Sequence, residues 1–216
     1  MKIFDMSQEL YNGCPGWPTF KLFDVQYEAV IANDFCTAER MDLNVHTGTH
    51  LDAPFHFVAD GATIDEFPID AFIGKAHIIN LEGIAPKAGI LKSHIEKYVD
   101  KIQKGDIVLF YTGWCRKRSY SEEYMHDWPY VTGEAAELLR DLGVKGVGTD
   151  GLSIGGFYDG SGLPSHRTLL GSGIWLLEEL NFPEELLKYE TCELTAVPLK
   201  LRGFGGSPTR AYAKVD

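Results

Sequence analysis

HTGTHLDAPFH (46–56) gathers three of the chain's seven histidines, and an aspartate, into one short run. Its even positions hold His46, Gly48, His50, Asp52, Pro54 and His56, and its odd positions hold Thr47, Thr49, Leu51, Ala53 and Phe55. Alternate side chains of an extended chain face opposite ways, so the spacing predicts a strand end running into a tight loop, with ligand types on one side and packing residues on the other. A helix would also align His46 with His50, but Gly48, the two threonines and Pro54 disfavour one. Imidazole nitrogen and carboxylate oxygen suit zinc, and also manganese or iron, so His46, His50 and Asp52 form half of a metal site. The bland alternative is a set of separately satisfied histidines. On a shared face without a cation, however, such imidazoles would repel one another once protonated.

Outward from this segment, short apolar or alternating runs bounded by Gly and Pro predict strands at 2–6, 20–31, 42–46, 76–81, 106–114, 144–150, 173–177, 193–201 and 209–215. Helical spacing occurs at 93–102, where Ser93 caps and Ile95, Val99 and Ile102 share a face, and at 133–142, between Thr132 as cap and Gly143 as stop. The pattern is mixed α/β with strands in excess over helices. The 216 residues are 44% hydrophobic and carry no repeat or linker, so 1–216 reads as a single domain with an ample core.

A net charge of −11, from 31 acidic against 20 basic residues, disfavours a phosphate-binding surface and hence a nucleic-acid partner. No apolar run approaches the roughly 18 residues of a membrane span, and the start, MKIFDMSQEL, has no apolar stretch of signal-peptide length. A cytoplasmic protein without a membrane partner is expected. Cys14, Cys36, Cys115 and Cys192 are scattered, which predicts reduced, partly buried thiols.

Further along, His166 follows a Gly-rich stretch, 151–162, and Glu178 ends the apolar run GIWLL (173–177). Its place at a strand end favours Glu178 as a ligand over Glu179, which reads as a solvated acid tolerant of Ala. GLSIG (151–155) also matches the G-x-S-x-G elbow of α/β-hydrolases, with Asp159 and His166 following Ser153 in the right order. That rival fails on context. The elbow needs a helix straight after the serine, which GGFYDGSGLP does not supply, and His166 follows Ser153 too soon for the strands and helices that should separate them.

HTGTHLDAPFHF (46–57) resembles the signature HxGTHxDxPxHF of the cyclase-like metal-dependent hydrolases, a family that includes kynurenine formamidases and isatin hydrolases. GDIVLFYTGW (105–114), HRTLLGSGIWLLEEL (166–180) and PLKLRGFGGSPTRA (198–211) agree with it. The resemblance implies that His46 and His50 bind one metal ion, Asp52 bridges two, His166 binds the second and Glu178 reaches both, with His56 as general acid/base. It implies a swivelling β/β/α fold, a homodimer or higher homo-oligomer, and Zn2+, two per subunit, or Mn2+. Such an ion lowers the pKa of water to about 7 and polarises a carbonyl, which opens a planar amide to attack. The implied partner is a small aromatic amide: N-formylkynurenine first, giving kynurenine and formate, and isatin second. A non-catalytic metal- or ligand-binding module on the same fold is the alternative.

Phe55 and Phe57 flank His56, and the resemblance implies that the segments of Trp17 and Trp114 lie near the site, so these four are expected as aromatic walls around a flat ring. Formamidases carry Trp before Pro-Gly near the N-terminus, whereas here the order is Cys14-Pro15-Gly16-Trp17-Pro18. His77, His94 and His126, in a strand, a helix and a loop, read as structural or surface residues.

Overall fold

The apolar runs become strands in the computed structural model, which describes residues 1–158 and 160–216. In chain order these are β1 (Lys2–Asp5), β2 (Asp24–Ala29), β3 (Ala38–Asp42), β4 (His50–Asp52), β5 (Ile73–Asn80), β6 (Gly89–Ile90), β7 (Ile107–Tyr111), β8 (Tyr130–Val131), β9 (Gly146–Thr149), β10 (Trp175–Glu178), β11 (Thr191–Thr195), β12 (Gly206–Pro208) and β13 (Tyr212–Val215). The helices are α1 (Lys92–Glu96), α2 (Glu122–His126), α3 (Gly133–Leu142) and α4 (Gly162–Leu170). Strands outnumber helices, as the patterning predicts.

One sheet has the order β1-β13-β11-β5-β7-β9-β10-β4-β12. Its middle, β5 to β10, is parallel, and both flanks are antiparallel. Parallel strands are covered on both faces and so read as continuous apolar runs; β7, IVLFY, is buried throughout. Its alternate residues divide between two cores. Ile107, Leu109 and Tyr111 join Leu51, Trp175 and Leu177 on one face, and Val108 and Phe110 join Val147, Leu176 and the helical Ile95, Ala135, Leu139 and Leu169 on the other. Each such fully buried Leu, Ile or Phe contributes about 1.5–3 kcal/mol.

The helix at 133–142 matches the sequence reading residue for residue: Thr132 Oγ1 accepts from the Ala135 amide, and Gly143 closes the helix at φ +71. The reading of 93–102 is only partly met. α1 ends at Glu96 and the chain continues in turns with Ile95–Tyr98 and Tyr98–Ile102 backbone bonds, which still bury Ile95 and Ile102. The strand expected at 42–46 is absent: β3 pairs with β2 up to Asp42, and residues 45–49 turn, with Gly48 at φ +66. The strand at 106–114 stops at Tyr111 before Gly113 at φ +82, and that at 193–201 stops at Thr195, short of Pro198.

α4 was not visible as a helix, because a Gly-rich lead-in and Pro164 mask it; proline is tolerated in a first turn, where its missing N–H costs nothing. All four cysteines are free, with Cys14, Cys115 and Cys192 buried and Cys36 exposed. Among the described residues no helix is long and apolar enough to cross a membrane.

Candidate metal centre

β4 lies between β10 and β12, antiparallel to both. Leu51 points into one core, so its neighbours His50 and Asp52 face the opposite side of the sheet, toward the helices. Glu178 stands directly across from His50 in the β10–β4 register and shares that face. His166, on the buried side of α4, meets them there.

The alternation predicted across 46–56 holds only for 50–52. Upstream, the Gly48 turn swings His46 back, so that its Nδ1 lies 2.7 Å from Asp52 Oδ1. Downstream, a 3-10 turn at Pro54–His56 folds His56 over His46, with ring centroids 3.9 Å apart, and places Phe57 against His166 at 4.3 Å.

The side chains converge on a common point. His50 Nε2 is 3.4 Å from Asp52 Oδ1 and 3.3 Å from Glu178 Oε2; His166 Nε2 is 3.4 Å from Glu178 Oε1 and 4.0 Å from Asp52 Oδ2. The far nitrogens are committed elsewhere: His50 Nδ1 donates to Gly48 O at 2.8 Å and His166 Nδ1 to Gly162 O at 2.7 Å. This assignment of tautomers leaves each Nε2 lone pair free to face the centre. His50 Nε2 and Asp52 Oδ2 are buried without a hydrogen-bond partner, a costly condition that a bound cation would relieve. The possible ligand atoms of His46, His50 and Asp52 lie within 4.8 Å of one another, as do those of Asp52, His166 and Glu178, so Asp52 belongs to both groups. Imidazole and carboxylate donors fit a divalent ion.

Burial favours the neutral form of every one of these groups, yet for most their mutual attraction wins. Burial opposes the His50 and His166 charges, but the nearby Asp52 and Glu178 carboxylates hold the two imidazoles above their usual range. Against the same burial, His46 and His50 keep Asp52 well below the carboxylate range, and His166 and His50 hold Glu178 at about 2. His56 is the exception: burial, aided by His46, pushes it down to about 4.

His46, His56, Ser153, His166 and Glu178 edge a cavity of about 310 Å3 whose other walls include Trp17, Phe20, Phe57, Leu152, Phe157 and Leu163. Trp17 and Phe57 are therefore walls, as the sequence suggests. Trp114 is not: it is buried behind the cavity with Tyr124 and Trp128. Phe55, 43% exposed, does not line the cavity. Leu152 and Phe157 went unread because they sit in the Gly-rich stretch. No lysine or arginine lines the cavity among the described residues.

One further expectation, that of a solvated Glu179, is corrected, and the Ser153 rival is tested by its geometry: Ser153 Oγ lies 3.3 Å from His166 Nε2 and donates to Glu178 Oε1 at 3.0 Å. Even so, residues 154–158 form no helix, and Asp159 lies outside the described residues. The Nδ1 proton of His166 goes to a backbone carbonyl rather than to the orienting carboxylate a triad needs. Glu179 is no solvated acid: it is 1% exposed, its Oε1 accepts from the Gly48 amide at 3.2 Å, and burial raises its carboxyl to about 7. His77 pairs with Asp106 at 2.7 Å, His94 accepts from the Leu91 amide, and His126 ends α2 rather than lying in a loop.

Residues 4–155 match the family model described as putative cyclase. The chain belongs to the cyclase family. Within it, the chain is 31% identical over 223 residues to a kynurenine formamidase of Salinibacter ruber, covering 99% of this chain and 98% of that one. A structure titled as a predicted metal-dependent hydrolase from Bacillus stearothermophilus superposes with a TM-score of 0.81 at 31% identity, over 98% of this chain and 97% of the other. An isatin hydrolase bound to the product analogue thioisatinate shares the fold, with a TM-score of 0.91 at 22% identity, over 99% and 92% of the two chains. The expected class, a metal-dependent enzyme acting on amide bonds outside peptides, agrees with these cyclase-family relatives.

Proposed function

We propose that this chain hydrolyses a small aromatic amide at a divalent-metal centre held by His46, His50, Asp52, His166 and Glu178, with His56 as general acid/base. The observation that carries this reading is the pair of buried, unpartnered ligand atoms, His50 Nε2 and Asp52 Oδ2, in a centre that borders an aromatic-walled cavity. When bound, a divalent ion such as Zn2+ or Mn2+ makes water more acidic and polarises a carbonyl. Two overlapping ligand groups sharing Asp52 support two ions per subunit.

The chain's own residues then have separate tasks. Trp17, Phe57 and Phe157 grip a flat ring, and the 310 Å3 volume suits a single small aromatic molecule rather than a passing peptide. With its pKa depressed to about 4, His56 presents a neutral lone pair at neutral pH and can take a proton from water. It returns that proton to the amide nitrogen as the C–N bond breaks and the water oxygen joins the carbonyl carbon. An N-formyl arylamine gives formate and the free amine; a lactam opens to an amino acid. Full-length likeness to kynurenine formamidases supports N-formylkynurenine as substrate. The cavity walls, without Lys or Arg among the described residues, support isatin, a neutral lactam, as the second reading. A homodimer or higher oligomer in the cytoplasm is the setting we propose.

The test is metal analysis of purified protein together with hydrolysis of N-formylkynurenine, isatin, a lactone and an aryl ester. Bound metal and fastest turnover of an aryl amide are expected. Faster turnover of the lactone or the aryl ester would overturn the substrate class, and protein that takes up no divalent ion would overturn the centre.

A further inference from the structure

Glu179 directly follows the last residue of β10 and adopts a left-handed backbone, φ +52, which is strained for a residue with a long side chain. The conformation is held from three sides. Its amide donates to Gly151 O at 2.9 Å, its carbonyl accepts from Thr49 Oγ1 at 2.7 Å, and its Oε1 accepts from the Gly48 amide. Two of these three bonds end on the turn between His46 and His50, and Gly48 O is the carbonyl that orients the His50 ring. The other oxygen, Oε2, is buried without a hydrogen bond and lies 3.7 Å from Arg118 Nε, equally buried and unpartnered. Arg118 in turn donates from its guanidinium to Glu9 O at 2.8 Å and to Pro15 O at 3.5 Å, two residues before Trp17.

A buried ion pair is a poor source of stability, because desolvating two charges cancels most of their attraction. Its use lies in the fixed geometry it imposes. We propose that Glu179 is a positioning residue that sets the height of the 46–50 turn through the Gly48 amide, and that Arg118 couples this turn to the Trp17 loop. Floor and wall of the cavity are thus referenced to one carboxylate. The inference rests on the metal-centre reading for its affinity arm alone.

Two conservative variants separate reach from charge. E179D keeps the charge and tolerates the left-handed backbone at least as well as Glu, but its shorter side chain cannot reach the Gly48 amide. E179Q keeps the reach and loses the charge. Zinc affinity by chelator competition should fall about 10- to 100-fold in E179D, the usual cost of losing support behind a ligand, and stay within about threefold of wild type in E179Q. Amide hydrogen exchange at 46–50, read in metal-free protein, should quicken in E179D only. R118M should quicken exchange at both 9–17 and 46–50. Wild-type behaviour of E179D, or equal loss in E179Q, overturns the role of the carboxylate; unchanged protection in R118M overturns the coupling. If the wild type itself binds no zinc, the metal reading falls, and the exchange experiment still decides the positioning role.

Discussion

His56 is set apart from its neighbours by what it lacks: it edges the cavity, stacks on His46, and belongs to neither group of converging ligand atoms. H56A should therefore retain metal and fold while losing about 10²- to 10⁴-fold in kcat, the span of a general acid/base contribution; metal content and turnover of the same preparation check it. D52A should instead lose both, because Asp52 alone serves both ligand groups. E178A should also lose metal, since Glu178 lies within 3.4 Å of both His50 and His166. At this scale the sequence is legible where ligands are close along the chain. His46, His50, Asp52 and His56 stand out from the composition of one segment. His166 and Glu178 carry only weak local signals, a place after the Gly-rich stretch and a strand end, and it is the family resemblance that joins them to the first segment. Glu179 was misread for a related reason. Whether an acid is buried depends on distant partners, here Gly48 and Arg118.

Two glycines let whole elements approach the centre, and each allows one ligand to be moved without touching it. A Cβ on Gly155 would lie 2.4 Å from Gly162 Cα and 2.6 Å from Gly162 O, the carbonyl that orients His166. G155A should push back the start of α4, cost about 1–3 kcal/mol, and weaken binding at the Asp52, His166 and Glu178 group. A Cβ on Gly206 of β12 would lie 2.6 Å from His46 Cε1, so G206A should weaken the His46, His50 and Asp52 group instead. Zinc titration of both variants, with melting curves, separates the two. Equal loss from both groups in either variant would contradict independent support. α3 was readable because cap, apolar face and stop all agree, whereas α4 opens with glycine and proline and is made a helix by packing on α3 and β10. The missing strand at 42–46 has the same origin. A local apolar alternation yields to a turn at 45–49 that Gly48, at φ +66, permits and that distant bonds to Glu179 hold.

For the molecule as a whole, removal of metal should lower Tm. An ion at 100 times its Kd stabilises the folded state by about 2.7 kcal/mol, which for a chain of this size corresponds to roughly 5–10 °C; melting with and without chelator measures it. The cavity gives a second expectation. An uncharged N-formylanilide should bind more tightly than N-formylkynurenine, whose amino-acid arm finds no Lys or Arg among the described lining residues. Quenching of tryptophan fluorescence, with W17F to isolate the Trp17 share, compares the two, and tighter binding of the charged ligand would point to a cation reaching the cavity from outside this chain. The position of β4 has one more effect. It carries His50 and Asp52 near the start of the chain, yet pairs only with β10 and β12, far toward the end. Such distant pairings are slow to close, and on a ribosome the first half of the metal centre must wait, unpaired, for the second half to be made. Capture of a metal ion by the proposed centre is thus expected only after Glu178 has been made, and a chain interrupted before residue 175 would carry the whole HTGTHLDAPFH segment and still be unable to assemble the centre.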